Sequence, residues 1–384
     1  NNVYTVVQMK KLCFITAARS EYGLLKWLMY DISKGSDFKL QLIVTGGHLL
    51  EEQGHTIDQI IKDGFEIDAV VDAQLNTKSE AVIAASMGRM AESLADALEK
   101  LKPDYLVVLG DRYELLSICS TAFIMRIPII HLSGGDVTEG LIDNGVRNAV
   151  TMLADYHFPG TKASMDNIVR MRGSSKNVWT VGEPGLDAYF RETLYNRQEL
   201  ADMLGLDCRL DWILFTYHAV TSESLEINLA AVENCFQVLL ELGGVQVVAT
   251  YANADFGGRY INEMLEQIAK DHPSKITVIA SLGTQRYLSL MRQAKFIIGN
   301  SSSGIVEAPM LKVPVVDLGE RQSGRYKCVN IISCKETYDS IQMAVLKAMK
   351  LEVHQDDLDY WGDGRTSRRI NDILVETIKR KNNG

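Results

Sequence analysis

The feature that most limits what this chain can fold into is a repeated alternation. Short apolar runs recur between longer stretches of helical periodicity, and the series occurs twice. In the first half the runs are Leu12–Thr16, Leu40–Thr45, Asp68–Val71, Tyr105–Leu109, Ile127–Leu132 and Tyr156–Phe158, with helices predicted at Glu80–Leu101 and Glu114–Met125. In the second half they are Trp212–Tyr217, Val245–Thr250, Ile276–Ile279, Phe296–Ile298 and Val313–Val316, with helices at Leu225–Leu242, Arg259–Asp271 and Tyr287–Gln293. Strands alternating with helices imply βαβ units and parallel sheets. Runs such as Leu106-Val107-Val108-Leu109 are apolar without a polar face, as strands covered on both sides must be. A length of 384 residues exceeds what one core usually serves. The expectation is therefore two doubly wound α/β domains with a cleft between them. The pattern breaks near Gly182, Pro184 and Gly185, which gives domains over 9–183 and 184–364. A helix over Thr366–Lys381 follows the Gly362-Asp363-Gly364 turn, which assigns 365–384 to a C-terminal helix.

Charge and cysteine usage remove several function classes. The net charge is -9, and the one basic cluster, Lys379-Arg380-Lys381, reads as a solvated helix end, so a nucleic-acid partner is not expected. The six cysteines are scattered without a CxxC pair, which fits buried thiols, a reducing cytoplasmic setting and no metal site. No run reaches the ~20 apolar residues that span a bilayer, so no membrane partner is expected. Met9-Lys10-Lys11 followed by Leu12 to Ala18 mimics a leader, but Arg19 and Glu21 follow at once, so the run reads as a first strand. Asn1 to Gln8 precede a Met that can serve as initiator and are left out of the fold reading.

Ligands of open α/β sheets bind beyond the carboxyl ends of strands. The residues there are Thr16-Ala17-Ala18-Arg19-Ser20-Glu21-Tyr22-Gly23 after the first run and Gly110-Asp111-Arg112-Tyr113-Glu114 after the fourth. A turn of small residues opening a helix suits phosphate, and Arg19 would add charge; Arg19 could equally do no more than cap a neighbouring carboxylate. Asp111 could act in a site or cap the next helix, with Glu114 completing a capping box. The loop from Ser133 to Asn144 is glycine-rich and carries Asp136, Glu139 and Asp143, which are general acid and base candidates. Asp143 could instead cap the helix that carries Arg147. His131 fits a satisfied core histidine as well as a site residue.

In the second half His218 ends a strand and is a proton carrier near neutral pH, and Asn253 follows the next strand. Gly299-Asn300-Ser301-Ser302-Ser303-Gly304 opens a helix expected to continue through Glu307, which describes an anion site. Glu307 could accept hydrogen bonds from a ribose diol. A serine N-cap without ligand would use the same residues. Arg321 and Arg325 follow the last buried strand.

Taken in order, these motifs resemble the hydrolysing UDP-N-acetylglucosamine 2-epimerases of sialic-acid and legionaminic-acid biosynthesis, over nearly the whole chain from Met9. The resemblance implies a GT-B fold of two Rossmann-like domains, with the C-terminal helix returning to the first domain. It implies a UDP-sugar substrate, UDP as product, no cofactor, and a homo-oligomer, dimer or tetramer. It places Arg19, Ser301, Ser302 and Arg321 on the diphosphate, with Arg112, Ser303 and Gly304 beside them, and Glu307 on the ribose. His218 and Asn253 fall near phosphates and sugar, and Asp111, Asp136 and Asp143 do proton chemistry. The implied reaction is loss of UDP to a glycal, then hydration with inversion at C2, giving N-acetylmannosamine. UDP-N,N'-diacetylbacillosamine is the alternative substrate. One departure is Ser133, where relatives often carry Glu. Non-hydrolysing epimerases show Gly-Thr-Arg-Pro-Glu where this chain has Ala18-Arg19-Ser20-Glu21. A GT-B glycosyltransferase and a non-catalytic sugar-nucleotide sensor share the fold and are separated by acceptor dependence and by turnover.

Overall fold

The computed structural model describes residues 8–50, 56–137, 142–220, 222–252, 257–354 and 358–379. The chain divides into two compact units, Asn1–Ala188 with Gly362–Gly384, and Tyr189–Trp361.

The first unit carries β1 (Lys10–Thr16), α1 (Arg19–Lys34), β2 (Phe38–Thr45), α2 (Ile57–Lys62), β3 (Ala69–Val71), α3 (Glu80–Leu101), β4 (Tyr105–Leu109), α4 (Glu114–Ile124), β5 (Ile129–Leu132), α5 (Ile142–Leu153), β6 (Tyr156–Phe158) and α6 (Lys162–Arg172). A short helix, α7 (Ala188–Arg191), leads into the second unit. There follow α8 (Arg197–Leu204), β7 (Asp211–Thr216), α9 (Leu225–Glu241), β8 (Val245–Thr250), α10 (Gly258–Asp271), β9 (Ile276–Ile279), α11 (Gly283–Gln293), β10 (Phe296–Gly299), α12 (Ser302–Val306), β11 (Val315–Leu318), β12 (Ile331–Cys334) and α13 (Tyr338–Lys350). Then α14 (Thr366–Leu374), with a π-helical turn at Val375–Lys379, belongs to the first unit again.

Each unit holds one six-stranded sheet, ordered β3-β2-β1-β4-β5-β6 and β12-β11-β10-β7-β8-β9. All pairings are parallel. Within its unit each order is 3-2-1-4-5-6, the doubly wound arrangement, and the two units together form a GT-B-like fold. In this arrangement the strand order reverses between the first and fourth strands, β1 and β4 in one unit and β7 and β10 in the other.

The strands are apolar because both faces are covered. Along β1, Leu12 and Phe14 enter one core cluster while Cys13 and Ile15 enter the other, the period of two that a pleated strand imposes. Each such fully buried side chain stabilises the unit by about 1.5–3 kcal/mol before chain entropy is set against it. Helix α3 turns Met90, Leu94 and Leu98 onto the sheet, one residue per turn. Its start is capped by the Ser79 hydroxyl, which accepts from the Val82 N–H at 3.3 Å.

Helix α14 returns to the first unit and buries Ile370, Leu374 and Ile378 in the core that also holds Leu25, Leu28 and Ile32 of α1. Its own N-cap position offers no side-chain cap. The fully buried Asp187 does that work from about half the chain away, accepting from the Thr366 N–H at 2.8 Å and the Ser367 N–H at 2.7 Å. A carboxylate at a helix start satisfies orphan donors and meets the positive dipole end.

Several boundaries differ from the sequence reading. The strand expected at Val313–Val316 runs from Val315 to Leu318. The last helix leaves regular α geometry after Leu374, and residues 380–384 lie outside the described part. Lys379 was read as a solvated helix end, but it forms an ion pair with Asp37. No helix among the described residues is long and apolar enough to cross a membrane.

Candidate active site

At the reversal point of the first sheet, the turn after β4 is set by Gly110 at φ 87, where a side chain would be strained. The buried His131 on β5 donates its Nε2–H to the Gly110 carbonyl at 2.8 Å and so holds that turn from the neighbouring strand. Burial lowers the His131 pKa to about 4, so the ring is neutral. Asp111 and Arg112 leave the turn in different surroundings. Asp111 is ion-paired with Arg147 of α5. Arg147 is 5% exposed and also donates to the Asp136 carbonyl at 2.9 Å. One guanidinium therefore ties the Asp111 carboxylate to the main chain of the acidic loop.

Arg112 sits against two buried carboxyls. Its Nη2 donates to Glu114 Oε1 at 2.9 Å, and its Nε lies 3.8 Å from Glu21 Oε1. Burial, then the neighbouring Glu114, pushes the Glu21 carboxyl up to about 8. Close by, His48 bridges two threonines, with Nε2 2.8 Å from Thr16 Oγ1 and Nδ1 bonded to Thr56 Oγ1. Burial and the Arg112 charge lower its pKa to about 4.

The loop after β5 packs on α6. A Cβ on Gly135 would lie 2.2 Å from the Ser164 carbonyl, so only glycine fits there. This brings the exposed Asp136 to the Ser164 hydroxyl, which donates to its carboxylate. Ser133 adopts φ 60, and its buried hydroxyl has no partner among the described residues. Asp143 lies in the first turn of α5, half-buried, four residues before Arg147 and so on the same helix face.

The reversal point of the second sheet is built mostly from uncharged groups, with Arg321 and Glu307 the charged exceptions. Gly299 pairs with Thr216, and a Cβ there would lie 1.8 Å from the Thr216 carbonyl, so the strands can close only on glycine. The next residue, Asn300, is fully buried and clamps the neighbouring loop at two points. Its Oδ1 accepts from the His218 N–H at 2.7 Å, and its Nδ2 donates to the His218 carbonyl at 2.8 Å. The Asn300 carbonyl accepts from Arg321 Nη1 and from Gln322 Nε2, each at 3.0 Å. Ser301 and Ser303 share a hydroxyl bond of 3.0 Å, and Tyr287 joins Ser303 at 2.6 Å. Glu307 accepts from the Tyr189 hydroxyl at 2.8 Å. Burial of its carboxyl pushes Glu307 up to about 7, against the opposing effect of that hydrogen bond.

The UDP-N-acetylglucosamine 2-epimerase family model matches residues 31–375. The chain belongs to this family. It is 35% identical over 327 residues to the GDP/UDP-N,N'-diacetylbacillosamine 2-epimerase (hydrolyzing) of Campylobacter jejuni, covering 84% of both chains. It is 30% identical over 372 residues to the UDP-N,N'-diacetylbacillosamine 2-epimerase (hydrolyzing) of Legionella pneumophila, covering 95% of this chain and 96% of that one. Among solved structures, the UDP-GlcNAc 2-epimerase of Methanocaldococcus jannaschii superposes with a TM-score of 0.77 at 20% identity, covering 95% of this chain and 99% of that one.

For this member of the 2-epimerase family, the structure brings Asp111 and the loop of Asp136 together through Arg147, and sets Arg112 beside them. In the second unit it gathers His218, Ser301, Ser303 and Arg321 around Asn300. Ser302 is exposed in the first turn of α12, and the buried Gly304 packs against Val315. Arg19 is exposed at the start of α1 and has no ion-pair partner among the described residues, so it is not a cap for a neighbouring carboxylate there. Asn253 and Glu139 lie outside the described residues.

Two expectations are corrected. Asp111 does not cap α4: the helix begins at Glu114, its N-cap is Tyr113 without a side-chain bond, and Asp111 is engaged by Arg147 instead. The helix after the serines ends at Val306, with Glu307 as its C-cap, and Ser301 is its N-cap, accepting from the Ser303 N–H. Glu21, His48, Arg147 and Asn300 were not singled out as site residues. Glu21 and Asn300 stood inside the quoted motifs, and that position was the available signal.

Proposed function

We propose that this enzyme is a hydrolysing 2-epimerase that converts UDP-N-acetylglucosamine and water to N-acetylmannosamine and UDP. The observation that carries the reading is the Asp111 carboxylate, presented at the reversal point of its sheet and oriented by the buried Arg147, which also anchors the loop of Asp136. The names of two relatives, both hydrolysing 2-epimerases, support the same branch.

In this reading a carboxylate among Asp111, Asp136 and Asp143 removes the C2 proton. The C–H electron pair becomes the C1=C2 bond of a glycal, and the C1–O pair leaves with UDP. Water then adds at C1 while a proton is delivered to the opposite face of C2. The C2 proton is weakly acidic, so stabilisation of the leaving diphosphate carries much of the barrier. Arg19, Arg112, Arg321 and the Ser301-Ser302-Ser303-Gly304 turn supply donors for it. Glu307 takes the ribose diol, and His218 lies by the phosphates and sugar.

The test is incubation with UDP-N-acetylglucosamine in deuterated water, followed by proton NMR. The expected products are UDP and free N-acetylmannosamine carrying deuterium at C2. Accumulation of UDP-N-acetylmannosamine would move the chain to the non-hydrolysing branch, and turnover only with a sugar acceptor would make it a transferase. A second substrate, UDP-N,N'-diacetylbacillosamine, appears in the names of the same two relatives and is the alternative to test. The ratio of kcat/KM for the two substrates in one preparation decides between them.

A further inference from the structure

The reaction as described leaves one group unused. Glu21 is 4% exposed, and neither of its carboxyl oxygens finds a hydrogen-bond partner among the described residues. Glu114 is fully buried, and its Oε2 is likewise unpartnered. Between them stands a single cation, Arg112, with Nη2 on Glu114 at 2.9 Å and Nε 3.8 Å from Glu21. The other titratable groups at this point cannot balance the second carboxylate. Asp111 is itself an acid, His48 is spent on Thr16 and Thr56, and Arg19 is exposed on the outer side of the first turn of α1. Two carboxylates out of water against one guanidinium would leave an uncompensated buried charge, a state that proteins avoid by taking up a proton. Glu114 holds a charge-assisted bond and Glu21 holds none, so Glu21 is the group that stays neutral.

We propose that Glu21 and Glu114 keep one proton between them at neutral pH, and that this proton positions Arg112 and leaves its outward face able to take an anionic phosphate-type group. Glu21 is then a positioning residue. With the proton in place, Arg112 and Glu114 cancel and an incoming diphosphate meets no net repulsion. Loss of the proton adds a second negative charge behind the guanidinium and opposes the ligand. The direction of the Glu21 pKa agrees with this order of events. The binding arm rests on the reading of Arg112 as a diphosphate ligand; the proton arm does not.

Two measurements on the full chain test it. The first is an NMR titration of protein labelled with carbon-13 at the glutamate carboxyls. One glutamate is expected to titrate near pH 8. That signal is absent in Glu21→Gln and moves toward the ordinary carboxylate range in Glu114→Gln, where Arg112 is left to Glu21 alone. Apart from the Glu307 signal near pH 7, no glutamate titrating above about pH 6, or a signal near pH 8 that persists in Glu21→Gln, overturns the proposal. The second is calorimetric UDP affinity from about pH 6 to about pH 9, where the wild type is expected to lose about tenfold relative to Glu21→Gln as one charge is added at short range. The comparison between variants cancels the titration of UDP itself. Parallel profiles for the two proteins overturn the proposal. If UDP binds neither protein at any pH, the functional reading fails, and the carboxyl titration still decides the shared proton.

Discussion

The two sheets have the same strand order, yet their reversal points differ in how much charge they hold. In the first unit the ends of β1 and β4 gather Glu21, Asp111 and Glu114 around Arg112 and Arg147, with Asp136 tied in through its main chain. In the second unit the ends of β7 and β10 gather an asparagine, serines, a tyrosine and a histidine backbone, with Arg321 as the one cation on the asparagine carbonyl and Glu307 one turn away. The fold therefore fixes where a ligand can be met, and residue type decides what happens there. In the proposed reading one end manages protons and net charge. The other fixes hydrogen-bond directions in advance, since Asn300 spends four bonds on holding its neighbours still.

That division can be broken most sharply at Asp111. Asp111→Asn keeps the size and removes the charge, and the expected result is a loss in kcat of roughly 10²- to 10⁴-fold with UDP affinity little changed. A variant that keeps kcat and loses affinity would make the acidic end a binding surface and dissolve the contrast. Asn300→Ala tests the other end. It removes the two side-chain bonds to the His218 N–H and carbonyl, and the expected loss is about 2–4 kcal/mol in urea unfolding together with weaker UDP binding. An unfolding midpoint equal to wild type would mean that the clamp is dispensable.

A finer test uses pH, because the two ends are expected to need opposite charge states. Glu307 must give up its proton near pH 7 to accept from a diol, whereas Glu21 must keep its proton until about pH 8. UDP affinity should therefore rise through the first value and fall through the second. Glu307→Gln should remove the acidic limb and Glu21→Gln the alkaline one, each worth about tenfold. Stability carries the same signature. As pH rises from the ordinary glutamate value of 4.5 to about 8, the unfolded chain releases a proton that folded Glu21 retains. Wild-type stability falls across that window relative to Glu21→Gln, and the loss is complete above it. Denaturant midpoints of the two proteins that stay parallel from pH 5 to pH 9 would contradict the assignment.

The smallest expected effect concerns neither reversal point. Asp187→Asn removes one acceptor from the start of α14, and about 1 kcal/mol of stability should go with it. The check is whether thermal unfolding of the first unit falls while that of the second holds.

The inner strands β4 and β8 were legible because both their faces are buried, and like the edge strands β6 and β9 they begin and end where the apolar runs do. The edge strand β12 and helix α13 were missed. In β12 the adjacent Ile331 and Ile332 are followed at once by the exposed Ser333, which leaves too short an apolar run to notice. At the sites, the motif positions were visible and their wiring was not. Arg147 reaches Asp111 across 36 residues, and Asn300 reaches His218 across 82. No local spacing encodes such pairs. Asp111 shows the cost of reading locally: an acid three residues before Glu114 looked like a helix cap, and a buried arginine from another helix took it instead.

The return of α14 to the first unit has a consequence for how the chain is made. Residues 189–361 form a contiguous unit that can complete its core as soon as they are synthesised. The first unit, although begun earlier, waits for Ile370, Leu374 and Ile378 to cover α1, and for Thr366 and Ser367 to reach Asp187. Until then Leu25, Leu28 and Ile32 present an apolar strip to solvent or to a chaperone. On the ribosome the part translated first is thus the part finished last.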